Sequence, residues 1–399
     1  PWFPWTAAGI LLAVMGYLAL RYHTVGGMGV ETDFYAELCP PARDLLEGRF
    51  SPLNYSAKGP VYSILLAAMY LAVRDFFTAG VVLNLISSAG FIVVFYYLVK
   101  RVFNPIAAAV SVFAVMVNYT FLSYVYQAGS DMPFILFSTA SMLFLFRDGG
   151  RRDLILSSVL GLLAFLTRYN GAFVLAGAVL YLAFTGEGWR YRLRLIGLWL
   201  GIFILAGLPW FIPNWIATGS PVKNDNYVNV MMEFYALGKG ADYENWTDAL
   251  PKKFTGMGDV ILYNPGYFAG HWLGNMVRQF LMDMKELVGF GIAPFFLFGM
   301  LALVFVRPVK RNLFYLAFGC AYGAILALVF YNPRFSLFLL AVYIPFAVWP
   351  FTVRVKPHYL NWLFRGLLIV FIGITAYPAP RTMAKVNDEL RGVPVFFKD

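Results

Sequence analysis

Apolar residues in this chain gather into long runs broken by short polar turns. Runs approaching the ~20 residues that cross a bilayer lie at about 5–21, 79–99, 105–122, 132–146, 154–167, 171–184, 195–213, 290–306, 312–330, 335–352 and 362–378. Two of them, 154–167 and 171–184, need their flanking aromatic residues to complete a crossing, and a further run at 59–73 is short. The pattern predicts an all-α polytopic membrane protein with about 11 transmembrane helices plus one short re-entrant or interfacial segment. The chain then divides into a transmembrane module at 1–213 with a first outer loop at 22–58, a long outer loop at 214–289, and C-terminal helices with an outer tail at 290–399.

Orientation comes from Lys and Arg, which collect in cytoplasmic loops. Lys100-Arg101, Arg147 with Arg151-Arg152, Arg190 with Arg192 and Arg194, Arg307 with Lys310-Arg311, and Arg354 with Lys356 follow every second run. All of them fit the cytoplasmic side, which places the turns Tyr124–Asp131, Arg168–Asn170 and Tyr331–Arg334 outside with the long loop. This parity holds only if 59–73 does not cross; the rival is that it spans and the positive-inside rule fails downstream. The long loop reads as having no hydrophobic core of its own, and a loop of that length is usually functional, as a lid or binding loop. Within it, Met276 to Leu287 has helical spacing and predicts a surface helix.

Composition agrees with a membrane protein: 60% of residues are hydrophobic, 19% aromatic and 13% charged, against roughly 25% charged in soluble domains. The formal net charge of +10 would suit nucleic acid, but the basic residues sit in short clusters between apolar runs, so no nucleic-acid partner is implied. Cys39 and Cys320 lie far apart without metal-ligand spacing, which leaves free thiols. The histidines His23, His271 and His358 are isolated and read as interfacial. No P-loop or dinucleotide fingerprint occurs. Asn54-Tyr55-Ser56 and Asn245-Trp246-Thr247 fit the glycosylation sequon, a triplet that arises readily by chance. A chain opening on Pro1 is expected to lack its natural start, and the run from Thr6 to Leu20, with no small-residue cleavage site after it, reads as an uncleaved span.

The first outer loop carries the densest chemistry. Val30-Glu31-Thr32-Asp33-Phe34-Tyr35 puts two carboxylates at the edge of the hydrocarbon, where charge is costly unless something uses it. Pro41 suits the start of a short helix and Gly48 its end, so Ala42 to Glu47 is expected to lie along the membrane surface. Ala57-Lys58-Gly59-Pro60 follows. Other outer turns hold Asp131, in Tyr126-Gln127-Ala128-Gly129-Ser130-Asp131-Met132-Pro133, Arg168, in Leu166-Thr167-Arg168-Tyr169-Asn170-Gly171, and Arg334, in Asn332-Pro333-Arg334-Phe335. Arg168 and Arg334 are each the only basic residue of their turn. Arg grips a phosphate with paired donors and Lys acts as a point charge; the plainer role for each cation is snorkelling to the interface. Asp33 and Asp131 stand where helices open, so N-capping explains them as readily as chemistry does. Glu31 is either part of a site's field or a solvated loop charge.

An aspartate just after the first span, then surface helices and a Lys-Gly-Pro stretch, resembles the first outer loop of GT-C integral-membrane glycosyltransferases. Within that superfamily it is most similar to the protein O-mannosyltransferase and aminoarabinose-transferase group. The resemblance covers roughly residues 5–185 in layout and reappears near Arg334. It implies a polyprenyl-phosphate-linked sugar as donor, Asp33 as catalytic base, and Asp131 as an acceptor-orienting or metal-binding carboxylate. Lys58 and Arg334 match positions that hold the lipid phosphate, with a vaguer match at Arg168. Glu31 joins Asp131 as a possible acceptor or metal residue, and Tyr35, Gln127, Tyr169 and Asn170 are secondary residues of the same site. In the aminoarabinose-transferase relatives an acidic metal ligand precedes the Lys-Pro motif. Ala57 stands there in this chain, so a zinc site is not implied, and a divalent metal at Asp33 and Asp131 stays open.

Such a transfer needs one base for the acceptor hydroxyl and cations for the departing phosphate. A phosphate anion leaves without protonation, so the carboxyl pair of glycoside hydrolysis is not required. The expected function is an inverting membrane glycosyltransferase, moving sugar to a lipid, glycan or protein acceptor at the outer face of the plasma membrane. The alternative from another class is a transporter or flippase for a lipid-linked sugar, which needs polar groups along a path through the bilayer and often broken helices in related halves. Here the charges collect at one face. A non-catalytic scaffold leaves the outer carboxylates and cations unexplained.

Overall fold

The computed structural model of the chain describes residues 2–24, 26–27, 30–55, 57–147, 149–186, 188–236, 254–305, 310–353 and 359–392. Arg307, Arg354, Lys356, His358, the triplet 245–247, Ser56 of the other triplet and the end of the tail lie outside the described residues. Every regular element among the described residues is helical. The principal ones are α1 (Phe3–Tyr22), α2 (Cys39–Leu46), α3 (Val61–Val73), α4 (Phe76–Val102), α5 (Pro105–Met116), α6 (Tyr119–Val125), α7 (Asp131–Leu145), α8 (Arg151–Thr167), α9 (Ala172–Ala183) and α10 (Trp189–Thr218). They continue as α11 (Pro265–Met282), α12 (Ala293–Phe305), α13 (Lys310–Leu326), α14 (Leu337–Val348), α15 (Tyr359–Ala376) and α16 (Ala379–Leu390).

Among the described residues, four helical stretches are long and apolar enough to cross a membrane: α1, α4, α10, and α15 running on through α16. Most of the remaining expected spans are shorter apolar helices, so the count of about 11 is not reached by length alone. The run expected as one span at 105–122 is two helices bent by 69°. Asn118 makes the break: its backbone is extended, its side chain accepts from Phe121 N at 2.9 Å, and its amide donates to the Leu287 carbonyl at 2.7 Å.

The short run at 59–73 becomes α3, and both of its ends reach the first loop. Just before α3, Lys58 donates to Glu37 at 2.6 Å. Just after it, Phe76 lies under the Arg43 guanidinium at 5.7 Å and Phe77 meets Phe34 at 6.3 Å. Both ends of α3 therefore lie against one loop. Arg74, at φ 63°, closes α3 in the left-handed region, and Asp75 caps α4 by accepting from Thr78 N at 2.7 Å.

Two of the basic clusters, Lys100-Arg101 and that of Arg147, meet at the far end of α4. Arg101 donates to the carbonyls of Phe146 and Arg147 at 3.1 and 2.9 Å, and the Asn104 amide donates to Thr352 Oγ1 at 2.8 Å. Phe314, near Lys310-Arg311, packs on Tyr181 and Phe184. Hydroxyls join the helices between the two ends: Ser158 donates to the Trp199 carbonyl at 2.7 Å and the Trp199 indole to Ser157 Oγ at 3.2 Å. Such bonds contribute about 0.6 kcal/mol each in a membrane.

The long segment 214–289 departs from expectation in two ways. It has a small core of its own, with Val230, Phe234, Tyr235, Val260 and Phe268 buried together. The expected helix at Met276–Leu287 starts earlier, at Pro265, and is not a bare surface helix. Its Trp272, Asn275 and Gln279 donate to the carbonyls of Ala324, Ala327, Leu326 and Val329, capping the C-terminus of α13, whose last carbonyls have no partner within the helix. The sequence reading gave no element at 379–390, yet α16 docks there with Val386 and Leu390 buried. Tyr126 donates to Glu389 at 3.2 Å, and Arg391 sits 4.4 Å over the Tyr22 ring.

Candidate active site

Three loops and two helix ends bring the predicted charges together. Asp33 closes a short helix, Val30–Asp33, that runs into a wide π-type turn, Phe34–Leu38. Its side chain makes no capping bond to that turn. Instead Arg334 Nη1 donates to Asp33 Oδ2 at 3.1 Å, and Lys58 Nζ lies 3.7 Å from the same oxygen. Asp131 opens α7 without acting as a cap, since the N-cap is Ser130 and no side-chain cap bond forms. Arg334 Nε donates to Asp131 Oδ2 at 2.8 Å and Arg168 Nη1 to Asp131 Oδ1 at 2.5 Å. Snorkelling to the interface does not describe Lys58, Arg168 or Arg334: all three turn inward onto carboxylates.

Local sequence explains the placement. Gly59 is pressed against α8, where a Cβ would meet the Leu166 carbonyl oxygen at 2.1 Å. Only glycine admits that approach, which seats Lys58 beside the end of α8 and hence near Arg168. The Asn332 side chain accepts from Arg334 N at 2.9 Å, an Asx turn that presents the guanidinium. Phe335 lies 5.7 Å under Arg168.

Burial divides the carboxylates. The Asp131 side chain is 6% exposed and Asp33 41%, with Arg334, 8% exposed, spanning the two. Burial by itself would push the Arg334 guanidinium down, but Asp131 and then Asp33 outweigh it and hold it above its ordinary value. Arg334 Nη2 is buried and, among the described residues, has no hydrogen-bond acceptor.

The residues border a cleft of about 360 Å³, lined by Asp33, Lys58, Arg168, Tyr169, Asn170 and Arg334 together with Glu37, Asn226, Asn229, Asn332 and Phe335. Glu37, the close partner of Lys58, was not read as a site residue. Asn226 was missed as well; it ties the far loop to the first by donating to the Ala57 carbonyl at 2.9 Å. Neither carries a local signal beyond being polar on a loop.

Glu31, Tyr35 and Gln127 stand apart from the cleft. Glu31 is buried and fully engaged: it accepts from Gly27 N at 2.5 Å and Ala128 N at 3.0 Å, and pairs with His23 Nε2 at 2.6 Å. It is a staple, neither a solvated charge nor a cleft residue, and His23 is its partner and not an interfacial residue. His271 also has a carboxylate neighbour, Glu233 at 3.5 Å. Tyr35 stacks on Phe77 at 6.1 Å and is half exposed on the other face. The Gln127 main-chain carbonyl accepts from Asn84, which makes the position structural. No group of three or more His, Cys, Asp or Glu able to hold a metal occurs among the described residues. Asp33 and Asp131 would have to give up arginine partners to bind a cation, and three cations surround them, so the pair does not fit a divalent metal in this arrangement.

The all-helical fold has counterparts among known proteins. A family model described as dolichyl-phosphate-mannose-protein mannosyltransferase matches residues 57–216. The fold matches the Archaeoglobus fulgidus oligosaccharyltransferase crystallised with Zn and sulfate, at TM-score 0.59 and 14% identity, covering 98% of this chain and 53% of that one. The apo form of that enzyme matches at 0.59 and 11%, covering 96% and 56%. Archaeal oligosaccharyltransferase AglB, in complex with an inhibitory peptide and a dolichol-phosphate, matches at 0.58 and 12%, covering 98% and 56%. The chain thus spans about half the length of these structures, and at such identities the likeness is one of fold. No curated protein matches the sequence. The matched family and the matched structures are both of the GT-C superfamily, as the first loop implied.

Proposed function

We propose that the protein is a membrane glycosyltransferase that moves a sugar from a polyprenyl-phosphate donor to a hydroxyl of a lipid, glycan or protein acceptor, with inversion, at the outer face of the plasma membrane. The observation that carries this is one half-exposed carboxylate, Asp33, lining an open cleft together with Lys58, Arg168 and Arg334. In the reaction the acceptor O–H gives its proton to Asp33 while its oxygen bonds to the anomeric carbon. The bond from that carbon to the phosphate oxygen breaks, and its electron pair leaves with the polyprenyl phosphate, facing Arg334 and Arg168. AglB, a protein of this fold, has been seen with a dolichol-phosphate, and the family description names a dolichyl-phosphate sugar. A transporter reading is disfavoured because these charges lie at one end of the bundle and not along it.

The test uses purified protein in liposomes with a labelled polyprenyl-phosphate sugar and a range of acceptors. Release of polyprenyl phosphate and a glycosylated product is expected. Asp33→Asn should retain donor binding and lose transfer by ~10²-fold or more, the lower end of general-base contributions. Movement of labelled donor across the bilayer with no release of polyprenyl phosphate would replace this reading with transport.

A further inference from the structure

We propose that a second cavity, on the far side of the Lys58–Glu37 pair from the cleft, seats the acceptor and takes an uncharged, hydroxyl-rich head group such as a glycan sugar. The inference rests on the glycosyltransferase reading and adds an acceptor site to it. The cavity measures about 360 Å³, within the roughly 300–1,000 Å³ of small-ligand sites. It shares Glu37, Ala57 and Lys58 with the catalytic cleft. The Lys58 ammonium stands between Glu37 at 2.6 Å and Asp33 at 3.7 Å, so one ion pair partitions the two spaces.

Their chemistries differ. The cleft presents Arg168, Arg334 and Lys58. The second cavity presents the carboxylates of Glu37 and Asp44 and the amide of Asn54, with Lys58 already committed to its two partners. Asp44 is held in place, accepting from Arg49 at 2.7 Å and from Asn54 at 3.2 Å. Carboxylate and amide groups accept from and donate to hydroxyls in the pairs that neighbouring sugar oxygens present, while two carboxylates repel a phosphate. The opposite wall is rigid and apolar: Pro40, Pro41 and the buried Tyr55, whose ring is braced edge-on by Trp210 at 5.3 Å. Burial, with Asp44 nearby, pushes the Tyr55 phenol up to about 12, so this wall is neutral at physiological pH.

The direction of attack selects this side. With inversion, the acceptor oxygen enters opposite the departing phosphate. A phosphate drawn to Arg168 and Arg334 leaves the entering oxygen to approach past Asp33 from the Lys58 side, where this cavity lies.

The experiment measures KM for each substrate with polyprenyl-phosphate mannose as donor and either methyl mannoside or a Ser/Thr-rich peptide as acceptor. Two variants are compared with the wild type: Asn54→Ala, which removes an exposed amide, and Ala36→Trp, which fills the cavity from an exposed position. Loss of one hydrogen bond to an uncharged group predicts a rise of up to about tenfold in the methyl mannoside KM for Asn54→Ala, a larger rise for Ala36→Trp, and no change in donor KM for either. An unchanged acceptor KM in both variants, or a rise in donor KM instead, overturns the cavity assignment while leaving the transferase reading intact. Transfer to the peptide alone overturns the glycan assignment. A wild type that releases no polyprenyl phosphate with either acceptor overturns both readings together.

Discussion

Replacing Arg334 tests the central claim that one guanidinium both stabilises the fold and serves the reaction. In Arg334→Ala, Asp131 keeps Arg168 on Oδ1 and loses the Nε donor at 2.8 Å on Oδ2, in a side chain 6% exposed. Breaking a buried pair from one side costs about 3–5 kcal/mol. The contact with Asp33 adds little, since that carboxylate is 41% exposed and screened. The loss is read as the thermal midpoint in detergent or nanodiscs. Turnover should fall further than the lost stability accounts for. An electrostatic donor aimed at developing negative charge contributes about 10²–10³-fold, and that loss should persist at saturating donor at temperatures where the variant is folded. Donor affinity should fall less, because only interactions that strengthen in the transition state raise kcat. Arg334→Lys should recover part of the stability and less of the turnover, as an ammonium cannot reach two carboxylates in the fork that Nε and Nη1 make. Wild-type turnover in folded Arg334→Ala would refute the catalytic role and leave Arg334 a structural ion.

Three further outcomes are expected. Glu31→Ala should destabilise the protein by about 1–3 kcal/mol through the buried donor it strands, Ala128 N; a thermal midpoint equal to wild type would end the staple assignment. In a background with Cys39 and Cys320 replaced by Ser, a cysteine at the exposed Glu47 should react with an impermeant thiol reagent added outside, and one at the exposed Arg152 only after permeabilisation; the opposite pattern would invert the proposed sidedness. Transfer should withstand chelators, because the carboxylates Asp33 and Asp131 are already held by arginine; activity lost to a chelator and restored by a divalent cation would show that these pairs open to bind metal.

Lone charges on turns between apolar runs have few uses, which singled out Arg168 and Arg334 as candidates, while the family resemblance singled out Asp33, Lys58 and Asp131. Their geometry was not legible in the sequence. Arg334 meets partners 203 and 301 positions away, separations that only the assembled topology brings together. Residues two apart on a helix point to different sides, so Asp33 and Glu37 line the cleft while Tyr35 between them turns to Phe77. Reading by apolar runs found the long helices but missed α16, whose few buried positions, Val386 and Leu390, sit in a largely polar stretch. The same method counted 105–122 as one span, since the hydropathy of Asn118 is averaged away while its capping geometry breaks the helix.

In the proposed reaction, environment divides the two aspartates into two roles. Asp131 has little solvent and two arginines; a proton taken there would have to displace a strong charge-assisted pair, so it serves as an anchor that fixes guanidinium direction. Asp33 meets the same Arg334 from the open side, with 41% of its side chain free to meet a substrate. Exchanging the two exposures would disable both functions: an exposed anchor would let Arg334 swing, and a buried base could not reach an acceptor hydroxyl. Two of the three Arg334 guanidinium nitrogens are held by carboxylates, so in the proposed reaction anchor and base are joined through one side chain, and the buried carboxylate is the one that aims it.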